Sequence, residues 1–250
     1  MTVPARGGQL WIRRFHPAPD AGIRLVVLPH AGGSASFYFP MSRALAPRVE
    51  VLSVQYPGRQ DRRAEPCIDD IGELADRIAA ELRQWADRPL ALFGHSMGAA
   101  VGFEVARRMD VAPIRLIASG RRAPSTHRDE RVHLRDDDGL VADLRKLSGT
   151  AAGVLGDEEL LRMILPAVRS DYRAAETYQG EPGAKVACPI TVLLGDDDPK
   201  VTLAEAEAWR EHTDAEVDVR VFAGGHFYLV EHQEKMLAML DERLKVPDSV

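Results

Sequence analysis

The 250-residue chain carries a formal net charge of −6, with 45% hydrophobic and 28% charged residues, as in ordinary globular proteins. This acidic balance argues against a nucleic-acid partner and excludes no small substrate. The length fits one domain, and the sequence lacks both a signal-peptide-like leader and a run of about 20 apolar residues, so we expect a cytoplasmic protein without membrane association.

Six short apolar runs alternate with helix-like segments along the chain. They lie at Arg24–Leu28, Val49–Val54, Leu90–Phe93, Ile114–Ala118, Ile190–Leu194 and Val217–Phe222. Several are continuously apolar, which is typical of strands buried on both faces. The alternation predicts an α/β fold, with a mainly parallel sheet flanked by helices.

Helical spacing of apolar residues connects these runs. The segments with this spacing are Ile68–Asp87, Ala99–Met109, Glu205–His212 and Gln233–Lys245. Between about residues 125 and 181 no strand is predicted, but two apolar stripes recur at helical intervals. Their members are Leu140, Leu144 and Leu147, then Leu161, Leu165, Val168, Tyr172 and Ala175. Pro166 interrupts the second stripe and predicts a kink or two helices there. We interpret this segment as a helical lid inserted in a single domain spanning 1–250; the alternative is additional core.

The pattern Gly-x-Ser-x-Gly at Gly94–Gly98 directly follows a predicted strand and precedes a predicted helix. In that context the serine lies on a strained strand-to-helix turn that exposes its hydroxyl at the edge of the sheet. Bulky side chains at the two glycines would collide with neighbouring backbone. The pattern therefore predicts that Ser96 is the nucleophile of an α/β-hydrolase fold; an incidental serine in a glycine turn is the alternative.

A serine nucleophile needs a histidine base oriented by a carboxylate, and in this fold both follow the serine in the chain. Three histidines lie after Ile190. His226 follows a predicted strand, where catalytic groups of open α/β sheets gather, and we predict that it is the base. His212 and His232 lie in helix-like segments, and we expect them at the surface.

Three consecutive aspartates follow the predicted strand Ile190–Leu194. Gly195 provides a turn, and Asp198 lies deepest in the loop before Pro199. We predict that Asp198 is the acid, with Asp197 as second choice. The remaining aspartates are expected to be solvated or to cap the next segment.

Acyl transfer builds negative charge on the carbonyl oxygen, which backbone N–H groups stabilise. One donor is predicted at Met97, the residue after the nucleophile. The other is expected in the glycine loop Pro29–Ser34, where position favours Ala31; an ordinary glycine turn is the alternative. His30 comes too early in the chain for the base, so a structural role is expected.

These motifs together resemble the type II thioesterases that accompany polyketide and nonribosomal peptide synthases. The matching segments are LPHAGGSASFY (Leu28–Tyr38), QYPGRQDRR (Gln55–Arg63), GHSMGA (Gly94–Ala99), ILPAVRSDYRAAETY (Ile164–Tyr178), LLGDDDP (Leu193–Pro199) and GGHFYL (Gly224–Leu229). The similarity runs nearly end to end, and the first two segments are the most specific. The resemblance implies a triad of Ser96, Asp198 and His226, with the amides of Ala31 and Met97 as oxyanion hole.

The resemblance further implies an editing role, in which acyl groups are hydrolysed from the phosphopantetheine arm of acyl or peptidyl carrier proteins. Starter trimming and product release are alternatives within the family. An oxygen-ester hydrolase or small lipase with the same triad is the competing enzyme. A binding protein on the same scaffold would lack a triad member, and none is missing.

Several further positions complete these expectations. Arg59, Arg62 and Arg63 can meet the phosphate of the arm or an acidic carrier protein, or form a solvated basic turn. Apolar candidates to line an acyl pocket are Leu147, Leu155, Met163 and Tyr172. The two cysteines lie far apart without metal-ligand spacing, and no nucleotide fingerprint occurs, so we expect no disulfide framework, cofactor or metal. We expect a monomer.

Overall fold

One seven-stranded sheet organises the computed structural model, which describes residues 10–147 and 158–244. The strands are β1 (Ile12–Arg13), β2 (Ile23–Leu28), β3 (Val49–Val54), β4 (Leu90–His95), β5 (Arg115–Ser119), β6 (Ile190–Gly195) and β7 (Val217–Phe222). They are ordered β1-β3-β2-β4-β5-β6-β7, with β1 antiparallel to β3 and all other neighbours parallel. The predicted α/β class with a mainly parallel sheet is confirmed.

Eight α-helices cover the sheet within the described ranges. They are α1 (Phe39–Leu45), α2 (Ile71–Leu82), α3 (Met97–Arg108), α4 (Asp137–Leu147), α5 (Glu158–Thr177), α6 (Leu203–Glu207), α7 (Tyr228–Glu231) and α8 (Gln233–Arg243). Short 3₁₀ helices occur at Ala35–Tyr38, Gln60–Arg62, Arg83–Trp85, Val132–Leu134 and Ala208–His212. None of these helices is both long enough and apolar enough to cross a bilayer.

The six predicted strands are confirmed to within two residues at each end. Strands β2, β3, β4 and β6 are buried along their whole length, which explains their largely apolar sequences. The two-residue β1 was not predicted, because so short a segment has no periodicity. The predicted helix Ile68–Asp87 is shorter in the structure, where α2 passes into a 3₁₀ turn.

Helices α4 and α5, called the helical insertion below, lie between β5 and β6. They share a small apolar core of their own. Its buried members are Val132, Leu140, Val141, Leu161, Leu165, Val168 and Tyr172. Helix α5 passes through Pro166 as one element, so the alternative of two helices is wrong. Proline removes one backbone hydrogen bond, while burial of the apolar stripe on both sides of it stabilises the continuous helix. The assignment of 1–250 as one domain with a lid stays a prediction.

Candidate active site

Ser96 occupies the turn between β4 and α3. Its backbone is in the left-handed region, with φ 55° and ψ −117°, a strained conformation for a residue with a side chain. A Cβ atom at Gly94 would lie 2.0 Å from the carbonyl oxygen of Gly98, and one at Gly98 would lie 2.0 Å from that of Leu28. The turn therefore requires glycine at both positions, as the sequence predicted, and it holds Ser96 at the carboxyl end of the sheet.

His226 and Asp198 are brought together by the loops that follow β7 and β6. The Nδ1 atom of His226 lies 2.9 and 3.0 Å from the two carboxylate oxygens of Asp198, and both residues are buried. Asp198 also accepts the backbone N–H of Lys200 at 2.8 Å. Asp197, the second choice for the acid, is exposed, and so is Asp196. The geometry thus favours Asp198 over its neighbours.

The loops that carry this pair are themselves joined backbone to backbone. The N–H of Asp197 donates to the carbonyl of Gly224 at 3.0 Å, and the N–H of Gly224 donates to the carboxylate of Asp196 at 2.8 Å. A Cβ atom at Gly195 would lie 2.2 Å from the Gly224 oxygen. The two loops therefore form one closely packed unit. Asp196 is exposed, as expected for an aspartate outside the predicted acid position, but among the described residues its carboxylate accepts a bond from the loop after β7 and does not cap the segment that follows it.

Ser96 and His226 line the same cavity, together with Ala31. Within residues 10–147 and 158–244 no hydrogen bond joins the Ser96 hydroxyl to His226, although such contacts often tighten only when substrate binds. Met97 is buried at the first position of α3, where helix amides lack partners. Neither the Ala31 nor the Met97 amide donates a hydrogen bond among these residues; Ala31 lines the cavity, whereas Met97 is fully buried and is not one of the described residues that line it.

Two further histidine rings lie near His226. The ring centroid of His95 lies 4.9 Å from that of His226 and 5.9 Å from that of His30. Burial, together with the nearby His226 and Arg59, lowers the pKa of His30 to about 3. Burial also lowers the pKa of His95 well below its ordinary value. Both rings stay neutral near neutral pH, so neither opposes a positive charge on His226.

The two buried rings have different partners. The Nδ1 atom of His95 lies 2.9 Å from the hydroxyl of Ser119, which lies 2.6 Å from that of Tyr228. His30 packs edge-on against Phe37 and Phe227. Its Nδ1 has no hydrogen-bond partner in the part of the chain that the structure describes. These contacts agree with a structural role for His30.

The cavity has a volume of about 630 Å³ and two kinds of wall. The apolar wall is formed by Phe37, Leu144, Leu147, Met163, Ile164, Ala167, Val168 and Phe227. The polar wall is formed by Arg121, Glu130, Tyr172, Glu176 and Lys200. Three of the predicted pocket residues, Leu147, Met163 and Tyr172, line the cavity; Leu155 lies outside the described residues. Apart from Tyr172, the polar wall was not predicted, because its members are scattered along the sequence.

The three arginines after β3 have different environments. Arg59 is buried and donates to both carboxylate oxygens of Asp171, at 2.6 and 2.8 Å. Arg62 is buried and donates to Glu65. A solvated basic turn is therefore wrong for these two, and neither is free for a phosphate. Arg63 is exposed at the edge of the cavity.

His212, expected at the surface, is 2% exposed, so that expectation is wrong. Its Nδ1 lies 2.8 Å from the carbonyl oxygen of Ala184, and its ring packs edge-on against Phe103 and Trp209. The 3₁₀ turn that follows α6 directs this side chain into the core. The segment was predicted as a single helix, which would place the ring differently.

Comparison with known proteins decides the family. The family model described as "Thioesterase domain" matches residues 23–244. The chain belongs to the thioesterase family. It is 53% identical over 242 residues to thioesterase PikA5 of Streptomyces venezuelae, covering 95% of this chain and 86% of that protein. It is 60% identical over 225 residues to a probable cadicidin biosynthesis thioesterase of Streptomyces griseus, covering 89% of this chain but only 62% of that protein's length.

Solved structures of thioesterases agree with this family assignment. The type II thioesterase BorB from the borrelidin biosynthetic cluster is 55% identical to this thioesterase, with a TM-score of 0.89, covering 94% of this chain and 98% of that one. The resemblance to type II thioesterases and the predicted α/β-hydrolase fold are therefore confirmed, and so is the enzyme class, a hydrolase acting on thioesters.

Proposed function

We propose that this thioesterase hydrolyses acyl groups from the phosphopantetheine arm of acyl or peptidyl carrier proteins. Ser96 is the nucleophile, His226 the base and Asp198 the acid that orients it. The observation that carries the proposal is the strained turn that presents Ser96 to the same cavity as the buried His226–Asp198 pair. The descriptions of BorB and of the probable cadicidin biosynthesis thioesterase, which assign those relatives to biosynthesis, support the choice of substrate.

The reaction follows from the positions of these groups. The Ser96 oxygen attacks the thioester carbonyl carbon while Nε2 of His226 takes its proton, and Asp198 stabilises the imidazolium through Nδ1. The amides of Ala31 and Met97 donate to the oxyanion, each stabilising the transition state by about 3 kcal/mol. His226 then protonates the leaving thiolate. A water molecule, activated by the same histidine, hydrolyses the acyl-serine.

The cavity fits an acyl chain on a thin arm better than a bulky ester. Its apolar wall lies largely on the helical insertion, which we propose acts as a lid over Ser96 within a single domain. A lid excludes water from the acyl-enzyme until the leaving group has departed. Because the cavity is much larger than an acetyl group, the proposal includes removal of longer acyl chains from stalled synthases.

The test uses a phosphopantetheinylated carrier protein loaded with acetyl, hexanoyl or decanoyl groups, with release followed by intact-protein mass spectrometry. Wild type should release acyl groups, Ser96→Ala should not, and Ser125→Ala, an exposed serine outside the cavity, should match wild type. A matched oxygen ester runs in parallel. Cleavage of that ester without release from the carrier would assign the enzyme to oxygen-ester hydrolysis. Equal release by Ser96→Ala would refute the nucleophile.

A further inference from the structure

Asp171 on α5 connects three separate segments of the chain. Its Oδ2 accepts the backbone N–H of Gly32 at 2.7 Å and an Nη1 hydrogen of Arg59 at 2.6 Å, and its Oδ1 accepts from Nη2 of Arg59 at 2.8 Å. Arg59 Nη1 also donates to the carbonyl of Gly33 at 3.0 Å. The carboxylate is 1% exposed and the arginine 9%. One buried ion pair thus joins the helical insertion to the loops that follow β2 and β3.

The loop after β2 carries the proposed oxyanion donor, Ala31. The peptide units on both sides of Ala31 are held by hydrogen bonds. The N–H of Gly33 donates to the carbonyl of His30 at 2.9 Å. In a trans peptide the carbonyl and the N–H point in opposite directions, so this bond turns the Ala31 N–H away from Gly33. The next peptide unit is held by the bond from Gly32 to Asp171. Ala31 is therefore oriented from both sides.

Helix α5 also contacts this loop directly. Gly32 has φ +75°, and a Cβ atom there would lie 2.9 Å from Cγ2 of Val168, one turn before Asp171. The loop backbone and the helix are thus in van der Waals contact next to the hydrogen bond. A shift of α5 would displace the peptide units on either side of Ala31.

The charges of the pair match this role. A buried carboxylate alone beside the oxyanion hole would repel the negative charge that develops on the substrate oxygen. Burial by itself lowers the pKa of Arg59, but the adjacent Asp171 raises it above its ordinary value, so the guanidinium stays charged. The ion pair therefore holds the loop without adding net charge to the site.

We propose that Asp171 and Arg59 are positioning residues that hold the Ala31 amide in the oxyanion hole, and that they do so from the helical insertion. The inference rests on the proposed function, because it takes Ala31 as an oxyanion donor. The position of α5 then affects how well the transition state is stabilised, in addition to how the acyl chain is bound. Neither residue touches the substrate in this proposal.

The test measures kcat and KM with an acyl-pantetheine thioester, and the affinity of an alkylboronic acid, which forms a tetrahedral adduct with a catalytic serine. In Asp171→Asn, kcat should fall about 100-fold, as expected for a misplaced oxyanion donor, with KM within about threefold of wild type. The affinity for the boronic acid should fall with kcat. Glu104→Gln is the matched control: Glu104 is buried in ion pairs with Arg107 and Arg108, away from the cavity, and should keep the wild-type kcat.

A second variant separates positioning from folding. The double variant Arg59→Met/Asp171→Leu replaces the buried ion pair by apolar side chains, an exchange that is often neutral or stabilising. It removes the acceptor of the Gly32 N–H, so kcat should again fall about 100-fold in a protein that melts near the wild-type temperature. Unchanged kcat in this folded variant, or a higher KM at unchanged kcat, overturns the inference. If wild type shows no Ser96-dependent hydrolysis, the proposed function fails first, and the inference fails with it.

Discussion

His30 is predicted to destabilise this thioesterase in mild acid. Its pKa, lowered to about 3 in the folded protein, lies below the value near 6.5 expected in the unfolded chain. The unfolded chain therefore binds this proton first, and the free energy of unfolding falls as the pH drops below about 6.5. Between pH 6 and pH 4 this single group should lower the free energy of unfolding by about 2–3 kcal/mol.

The perturbation is His30→Phe, which keeps a planar ring between Phe37 and Phe227 and removes the titrating group. The extra ring atom costs about 1–3 kcal/mol of packing energy, but that cost does not change with pH. Urea unfolding followed by tryptophan fluorescence at pH 4, 5, 6 and 7 gives the free energy of unfolding of both proteins. From pH 6 to pH 4 the free energy of unfolding of wild type should fall by about 2–3 kcal/mol more than that of His30→Phe.

The control is the same substitution at His127, which is exposed, so water solvates its ring in both states. His127→Phe should therefore follow the wild-type pH dependence. Parallel curves for wild type and His30→Phe, differing by a constant at every pH, would contradict the lowered pKa of His30. In that case the His30 ring would be protonated in the folded protein, through a partner that its buried Nδ1 lacks among the residues that the structure describes.

Three other perturbations have expected outcomes. Gly98→Ala should lower the melting temperature by about 6 °C or more, or prevent folding, because its Cβ would lie 2.0 Å from a backbone oxygen. Gly183→Ala is the control, since no atom lies within 4 Å of its Cβ and only the φ of +73° strains the backbone; its melting temperature should fall by about 3 °C. Tyr228→Phe removes the 2.6 Å partner of the buried Ser119 hydroxyl and should cost about 1–2 kcal/mol in urea unfolding. Ala167→Phe narrows the cavity and should reduce the ratio of kcat/KM for decanoyl to that for acetyl thioesters about 10- to 100-fold. An unchanged ratio would show that the acyl chain binds outside this part of the cavity.

The positions of Ser96, Asp198 and His226 at strand ends could be predicted because each depends on a short stretch of sequence. An apolar run followed by glycine indicates where a strand ends, and in a parallel sheet these ends share one edge. The Gly94 and Gly98 positions follow from the same local argument, since each glycine meets backbone within a few residues or on the adjacent strand.

Features that depend on contacts between residues far apart in the chain could not be predicted from local sequence patterns. Arg59 and Asp171 are 112 positions apart, and nothing in either segment marks them as partners. A helical period predicts a surface position for His212, whereas the chain forms a 3₁₀ turn there and buries the ring. Whether α5 continues through Pro166 depends on burial against the rest of the insertion, which the local sequence does not contain.

The hydrogen-bonded unit formed by the loops after β6 and β7 has a consequence for thermal motion at the site. Because Asp197 and Gly224 are tied together through their backbones, a fluctuation of one loop carries the other with it. We therefore expect the contact between Asp198 and His226 to vary little. Ser96 belongs to a different turn, so we expect the gap between its hydroxyl oxygen and Nε2 of His226 to vary more. In the proposed mechanism, closure of that gap would then be the step that completes the arrangement of the three residues.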